Sequence, residues 1–321
     1  MTTLIQNKFN HFLWSNGLLG RPQSLRILTY HGIVESYKDS FLERNFVTYH
    51  TFVQQVNYLQ KHFNVISIDE MLEHKREFKK EVVITFDDGY FNNLIAAEIL
   101  DKKKIPYSIF LTTSCLGSEN ESIWPVNLSL LLLKGCLTEI ILFEQNWKLD
   151  SLENRIRSFN LIRSKLKEEP TPIKQQHMEF LITQFPIGEL DRLMYVYPSF
   201  KMLSEKQAKN LLSSAYCILG SHGYNHELLH PKQDFESIYY EINKSVQQFN
   251  NLFGHYPKYY AFPNGDSCQT AEKILQELDF KASFLNTPLI LTELSDVFRI
   301  PRLNAPRNLD SFKSKINSYK Y

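Results

Sequence analysis

The sequence has little of what defines several large protein classes. Its 321 residues include only 11 glycines and show no repeat period, which excludes collagen and argues against solenoids and propellers. Its formal net charge of +1 excludes the strongly basic field of a dedicated nucleic-acid binder. The four cysteines form no C-x-x-C pair and no disulfide framework, so we expect four buried thiols in a reducing compartment.

Long apolar segments are also missing. The longest apolar tract, residues 126–143, is interrupted by charged residues and is too polar to span a bilayer. The first 25 residues lack the continuous apolar core and the cleavage site of a secretory signal, so we expect a cytoplasmic protein. Helix-like apolar spacing predicts an N-terminal helical extension over residues 1–23, which either packs on the domain or touches the inner face of a membrane. Its apolar residues are Leu4, Ile5, Phe9, Phe12 and Leu13.

Apolar runs alternate with amphipathic segments along most of the chain. Strand, helix and strand in succession without hairpin signals indicate parallel strands joined by crossover helices. Several such units predict a (β/α) barrel over residues 24–117 and 202–312, with a doubly wound open sheet as the alternative. Residues 118–201 are polar and helical in pattern and predict a mostly helical insertion, and residues 313–321 form a tail. The predicted strands cover residues 25–29, 65–68, 82–86, 107–112, 217–220, 259–263, 282–285 and 297–301.

Three polar clusters directly follow predicted strands, where parallel α/β folds place their sites. The first, TFDDGY at residues 85–90, contains two adjacent carboxylates. Gly89 permits a tight turn, so that one carboxylate can bind a metal while the other acts as a base. The alternative is a solvent-exposed turn in which an Asp caps the following helix.

The second and third clusters lie in the C-terminal half. In SHGYNH, residues 221–226, His222 and His226 are expected on one face of a helical turn, within reach of one divalent ion. Together with Asp88 they form a set of two histidines and one carboxylate that suits Zn²⁺ over Mg²⁺, although an exposed histidine pair remains possible from spacing alone. The third cluster, AFPNGD at residues 261–266, is either the rigid wall of a groove or an ordinary turn.

Taken together, these clusters resemble the polysaccharide deacetylases, the family that shares the NodB homology domain. TFDDGY and SHGYNH match two of its motifs, and FPNGDSCQTAEKILQELDFKASF is similar to its Pro-x-Gly-Asp stretch. ILTYHGI and FRIPRLN resemble flanking pieces of a glycan-biosynthesis branch. The resemblance covers residues 24–117 and 202–310 and does not explain residues 118–201. It implies a distorted (β/α) barrel of the NodB type with a divalent metal, commonly Zn²⁺, at the strand ends.

The resemblance also implies roles for individual residues. Asp88, His222 and His226 would hold the metal, and Asp87 would be the general base for a metal-bound water that attacks an amide carbonyl. The backbone N–H of Tyr90 would bind the oxyanion, and the reaction would remove an N-acetyl group from an amino sugar. Candidate substrate contacts are Tyr224, Pro263, Asn264 and Gly265.

The sequence departs from the family pattern in three places. Gly223 follows the first histidine of the second motif, where the family usually has Ser or Thr, and so lacks a hydroxyl able to steady the loop. An arginine often opens the third motif and holds the catalytic Asp, but Ala261 occupies that position, so Arg299 or Arg302 is the candidate replacement. The C-terminal Leu-x-His that supplies a general acid is not evident. We take His31, at the end of the first strand, as the candidate acid, with a core or substrate-contacting role as the alternative.

We expect the substrate to be an N-acetylated glycan or a lipid- or nucleotide-linked sugar precursor. A non-catalytic carbohydrate-binding relative is the main alternative, because the usual Arg and Leu-x-His are missing. A metal-dependent phosphohydrolase that uses Asp87 and Asp88 is a third candidate. Such enzymes usually need oxygen ligands and a cationic phosphate clamp, whereas this chain offers two histidines and no Gly-rich phosphate loop.

Overall fold

Short buried strands, rich in β-branched and aromatic residues, form the centre of the molecule. The computed structural model describes residues 24–73, 78–117 and 122–317. The extension predicted for residues 1–23, with its membrane contact, lies outside these ranges. The strands are β1 (Leu25–Tyr30), β2 (Ile33–Val34), β3 (Val47–Thr48), β4 (Asn64–Val65), β5 (Glu81–Phe86), β6 (Tyr107–Leu111), β7 (Glu139–Leu142), β8 (Gln145–Lys148), β9 (Cys217–Ser221), β10 (Tyr259–Ala261), β11 (Ala282–Phe284) and β12 (Leu303–Asn304).

Helices connect most of these strands. Several are amphipathic, and they cover the sheet with their apolar faces; α1, for example, buries Phe52, Val56 and Leu59. No helix within the described ranges is long and apolar enough to cross a membrane. The helices are α1 (Tyr49–His62), α2 (Ile68–Glu73), α3 (Asn93–Lys102), α4 (Trp124–Lys134), α5 (Leu152–Glu168), α6 (Thr171–Gln184), α7 (Glu189–Val196), α8 (Glu205–Leu211), α9 (Phe235–Phe253), α10 (Gln269–Glu277) and α11 (Leu309–Asn317).

The main sheet is parallel and has the order β11-β10-β9-β6-β5-β1-β12, with β4 beside β5. Every residue of β1, β5 and β6 is buried, as expected for parallel strands that are covered on both faces. The carboxyl ends of these strands lie at one edge, where the connecting loops meet.

One segment, residues 297–305, contacts both ends of the sheet. Ile300 forms a parallel bridge with Phe284 of β11, and Leu303 of β12 pairs with Leu28 of β1. The sheet therefore curls into a half-barrel, and this segment spans the gap between its two ends. The predicted distorted (β/α) barrel is confirmed.

The region between β6 and α8 forms its own apolar core above that edge. Leucines of α4 are fully buried against α5, α6 and α7, each burial stabilising by roughly 1.5–3 kcal/mol. The same core includes Phe46, Tyr90 and Leu228 of the strand-end loops. The region is mostly helical and also contains the antiparallel hairpin β7–β8, and the insertion boundaries at residues 118 and 201 stay a prediction.

Some local predictions are wrong. The strand predicted over residues 65–68 ends at Val65, because α2 begins at Ile68 with Ser67 as its cap; the Ser67 hydroxyl accepts the backbone N–H of Glu70 at 3.1 Å. The strand predicted over residues 297–301 lies instead at Leu303–Asn304. Only two of the four free thiols are buried, since Cys136 is exposed and Cys217 is partly buried.

A substitution at Gly220 in β9 tests how tightly the interior of the half-barrel is packed. A Cβ at this position would lie 2.6 Å from the Phe110 ring and 2.9 Å from the Tyr259 carbonyl oxygen. We expect Gly220→Ala to lower the free energy of unfolding by about 1–3 kcal/mol in urea titrations. Ala215→Ser, which also adds one heavy atom but at an exposed position, should change it little. Equal urea midpoints for the two variants would contradict this packing.

Candidate metal centre and active site

The acidic turn after β5 directs its two carboxylates apart. Asp88 has a φ of +73° and Gly89 a φ of +85°, so the chain reverses immediately after Asp87. A Cβ at Gly89 would lie 2.9 Å from a methyl carbon of Leu111, which explains why glycine occupies this position. Asp87 and Asp88 are each 3% exposed, so the alternative of a solvent-exposed turn is wrong.

The histidine motif lies in an irregular loop after β9, and the prediction of a helical turn is wrong. Gly223 has a φ of +84° and His226 a φ of +59°, values that a right-handed helix does not allow. The loop nevertheless places the two imidazole centroids 5.1 Å apart. His222 is fixed at both ends, because its backbone N–H donates to the Leu111 carbonyl and its Nδ1 lies 2.8 Å from the Ala261 carbonyl oxygen. That contact assigns the ring proton to Nδ1 and leaves Nε2 as an acceptor.

Glu241 of α9 supports the same loop. Its Oε1 accepts the backbone N–H groups of Asn225 at 2.8 Å and Glu227 at 3.1 Å. A Cβ at Gly223 would lie 2.5 Å from that oxygen, so the carboxylate takes the space of the Ser or Thr side chain that is usual here in the family. Burial, and then the charge of Glu227, raise the pKa of Glu241 to about 7.

Asp88, His222 and His226 form a candidate metal centre. The Nε2 atoms of both histidines lie 3.3 Å from Oδ1 of Asp88, and one ligand atom from each residue lies within 4.8 Å of the others. Within the described part of the chain, Asp88 Oδ1 is buried without a hydrogen-bond partner. A buried carboxylate oxygen that faces two imidazole nitrogens fits a divalent cation with positions left open for other ligands. Burial alone would raise the pKa of Asp88, but the two imidazoles hold it well below its usual range.

Asp87 is held by Arg302 instead. Both guanidinium nitrogens Nη1 and Nη2 lie 2.7 Å from the carboxylate oxygens, and Arg302 Nε donates to the Leu285 carbonyl at 3.0 Å. Arg302 is completely buried, and its guanidinium lies over the rings of Phe110 and Phe284. Burial alone would raise the pKa of Asp87, but the charges of Arg302 and then His222 lower it.

Of the two arginines proposed from the sequence, only Arg302 therefore reaches Asp87. Arg299 is exposed and pairs with Glu272 at 2.7 Å. The difference follows from the segment that spans the gap in the half-barrel, where Arg302 faces inward and Arg299 faces outward.

Tyr90 lies in a segment that pairs with residues 201–203. The N–H of Phe91 donates to the Lys201 carbonyl, and the N–H of Leu203 donates to the Gly89 carbonyl. Tyr90 and Met202 are thus a non-hydrogen-bonded antiparallel pair, in which the Tyr90 N–H points away from its partner segment.

A second layer of side chains holds the backbone at His226. The indole N–H of Trp124 donates to the His226 carbonyl at 3.0 Å. Lys174 of α6 forms a buried ion pair with Glu227, and its ammonium lies 4.6 Å from the Trp124 ring centroid. Lys174 and Glu227 occur in polar sequence and give no signal that separates them from surface charges, because only tertiary packing buries them.

The candidate centre opens into a pocket of about 340 Å³. Asp87, the three candidate ligands and His31 all line it, as do Asn264 and Gly265 of the third cluster. Tyr224 and Pro263 are not among its lining residues: Tyr224 packs edge-on against Tyr240, and Pro263 is buried.

Comparison with known proteins supports this arrangement. Residues 174–283 match the family model described as polysaccharide deacetylase. Residues 174–283 therefore have the sequence pattern of a polysaccharide deacetylase domain. The resemblance that the motifs indicated is thereby confirmed, and the match includes His222 and His226. It begins inside the segment predicted as an insertion, and no curated protein sequence matches the chain.

Solved structures share the deacetylase fold at low sequence identity. IcaB from Ammonifex degensii is 17% identical, with a TM-score of 0.60, and the similarity covers 92% of this chain and 97% of that one. The Streptococcus pyogenes deacetylase PplD, solved with acetate, is 15% identical with a TM-score of 0.57 and coverages of 93% and 100%. A de-N-acetylase from Aggregatibacter actinomycetemcomitans is 13% identical with a TM-score of 0.57 and coverages of 91% and 99%.

The metal centre can be tested by titration. We expect chelator-treated protein to bind one equivalent of Zn²⁺ in calorimetry. His222→Ala should weaken Zn²⁺ binding by more than ~100-fold, because loss of a group that only hydrogen-bonds a metal ligand already lowers metal affinity by about 10–100-fold. His255→Ala, which removes an exposed histidine, is the matched control and should bind like the wild type. Equal affinities of both variants, or no binding by the wild type, would contradict the assignment.

Proposed function

We propose that this chain is a metal-dependent hydrolase that removes N-acetyl groups from the amino sugars of a glycan or glycan precursor. The supporting observation is that the two adjacent carboxylates of one turn have different partners. Asp88 faces two imidazoles, while the neighbouring Asp87 is locked by Arg302, and both carboxylates line one pocket. A deacetylase domain and fold accompany this arrangement.

The two histidines and Asp88 would hold the cation, and imidazole nitrogen favours Zn²⁺ over Mg²⁺. When bound, such a cation supplies Lewis acidity at the strand ends. The role of Asp88 is to neutralise charge and to keep the imidazole acceptors aimed at one point.

Asp87 is the proposed general base. Its lowered pKa keeps it ionised at neutral pH, so it can take a proton from water as the water attacks the amide carbonyl. The bidentate contact with Arg302 fixes the direction of the carboxylate and leaves each oxygen a second lone pair for the substrate side.

The backbone N–H of Tyr90 is the proposed oxyanion donor. Pairing with residues 201–203 fixes the backbone of Tyr90 before substrate binds. A preorganised N–H lowers the energy of the developing oxyanion without reorganisation during the reaction. Collapse then yields acetate and a free amine.

The proton for the leaving amine requires a donor near the same carbonyl. His31 lines the same pocket as Asp87 and Asp88, and this position supports its candidacy as the acid. That role, the direct substrate contacts of Asn264 and Gly265, and the cytoplasmic location stay predictions.

The alternative of a non-catalytic relative was based partly on the missing arginine of the third motif. The contact between Arg302 and Asp87 removes that argument, because another strand supplies the guanidinium. The observation favours catalysis over binding alone.

Acetate release tests the proposal directly. We expect the metal-loaded protein to release acetate from at least one N-acetylated amino sugar, and Asp87→Asn to lower the rate by ~10²–10⁴-fold, because an amide cannot take the proton. The exposed Asp310→Asn is the matched control and should keep the wild-type rate. Unchanged turnover after metal removal or in Asp87→Asn would refute the mechanism.

The pH dependence tests the ion pair. Asp87 has a lowered pKa, so its stabilising contribution is present above the ordinary value of 3.8 and is lost as the pH falls. In Arg302→Met, burial without the cation raises the pKa of Asp87, so the acidic limb of kcat/KM should move to higher pH. Breaking the buried pair should also cost ~3–5 kcal/mol of stability.

Two variants serve as comparisons. Arg302→Lys keeps the charge and should shift the acidic limb less, even if Arg302→Met folds poorly. Arg299→Met breaks only an exposed pair and should leave the pH profile unchanged. An acidic limb at the same pH in Arg302→Met, Arg302→Lys and wild type would count against Asp87 as the base.

A further inference from the structure

We infer that the amino-sugar substrate carries a phosphate group, in a sugar-phosphate or sugar-diphosphate linkage, which Arg44, Arg163 and Lys167 bind at the mouth of the pocket. This inference rests on the proposed function and narrows its substrate class. The reaction itself is unchanged: water and the N-acetyl group give acetate and an amine, and the phosphate linkage stays intact.

The three cations line the same pocket as the candidate metal centre. Arg163 and Lys167 are four residues apart on α5, and therefore lie on one face of that helix. Arg44 belongs to a distant part of the chain, three residues before β3. Two separate parts of the chain thus bring positive charge to one opening.

No carboxylate forms an ion pair with the cationic cluster, and the charge of Asp266 only partly opposes the lowering of the pKa of Lys167. Within residues 24–73, 78–117 and 122–317, no Asp or Glu oxygen lies within 4.0 Å of a charged nitrogen of these three side chains. The carboxylates that line the pocket, Asp87 and Asp88, already face Arg302 and the two histidines.

The cations also repel one another. Burial, and then the charge of Arg163, lower the pKa of both Arg44 and Lys167. Such mutual repulsion costs stability in the free protein, and a bound anion would relieve it.

Neighbouring contacts hold the cluster in place. The guanidinium carbons of Arg44 and Arg163 lie 5.8 and 5.2 Å from the ring centroid of the buried Phe159. Lys167 Nζ donates to Asn264 Oδ1 at 2.6 Å, which ties α5 to the loop of the third cluster. These contacts position the charged groups before any ligand arrives and lower the entropy lost on binding.

A phosphate linkage fits the cluster better than a neutral glycan does. A neutral sugar can accept hydrogen bonds from these side chains but leaves their mutual repulsion in place, whereas a phosphate group also neutralises it. Guanidinium groups bind phosphate oxygens in pairs, and three positive charges suit a diphosphate better than the single carboxylate of an acidic sugar.

Substrate preference is the first test. Acetate release by the metal-loaded protein would be compared for a neutral N-acetylglucosamine oligomer, an oligomer containing uronic acid, UDP-N-acetylglucosamine and a short-chain lipid diphosphate N-acetylglucosamine. We expect kcat/KM to be at least ~10-fold higher for one or both diphosphates, with the difference shrinking as salt is added. The two diphosphate substrates distinguish a nucleotide carrier from a lipid carrier.

Matched variants then locate the site. Arg163→Gln and Lys167→Gln should each lower kcat/KM for the diphosphate relative to the neutral oligomer by ~10-fold or more. Lys165→Gln removes the same charge from the same helix, but Lys165 lies over the rings of Phe143 and Trp147 rather than at the pocket, so the substrate preference should not change.

The outcomes separate this inference from the proposed function. Equal rates with neutral and diphosphate substrates, preference for the uronic acid oligomer, or equal effects of Arg163→Gln and Lys165→Gln would overturn the phosphate site alone. No acetate from any substrate, or release of phosphate instead, would overturn the proposed function. In that case calorimetry with UDP-N-acetylglucosamine still decides the phosphate site: binding weakened by Arg163→Gln but not by Lys165→Gln supports it, and absent binding refutes it.

Discussion

The bidentate contact between Arg302 and Asp87 is the interaction on which the site depends. Two adjacent buried carboxylates would normally suppress each other's ionisation. Here the left-handed turn at Asp88 and Gly89 separates them, and each meets a different partner. Arg302 keeps Asp87 ionised and oriented, which leaves Asp88 to face the histidines.

This contact also depends on the topology of the sheet. Residues 297–305 bond to β11 on one side and to β1 on the other, so their inward side chains lie over the centre of the half-barrel. A guanidinium carried there reaches the end of β5 from across the sheet. The segment that spans the gap of the half-barrel therefore also supplies the partner of Asp87.

Much of this could be read from the sequence, and the failures have identifiable physical causes. The strands and the three clusters were predictable because buried parallel strands are continuous apolar runs and because their ends share one edge. Arg302 was one of two candidate partners for Asp87, because Ala261 occupies the position where the family often has an arginine. The helical turn at His222 was wrong because Gly223 and tertiary bonds to Leu111, Ala261 and Glu241 set that backbone.

Charged residues far from the motifs were beyond the reach of sequence reasoning. Arg163 and Lys167 lie in a Lys- and Glu-rich helix, and Lys174 lies in the next helix. Such a composition predicts side chains that are exposed to solvent. Only the packing of these helices over the strand ends reveals which of their charges face inward. Two side chains of a helix outside the barrel, Arg163 and Lys167, thus line the same pocket as the motif residues.

The position of α5 has a consequence for how such proteins diversify. The proposed reacting groups lie at the strand ends, whereas one wall of the pocket is formed by a helix outside the sheet. Contacts such as the one between Lys167 and Asn264 join that helix to the strand-end loops. Exchange of a few residues on that helix would change which substrate fits the pocket and would leave the candidate reacting groups in place. Substrate selection can therefore change separately from the groups at the strand ends.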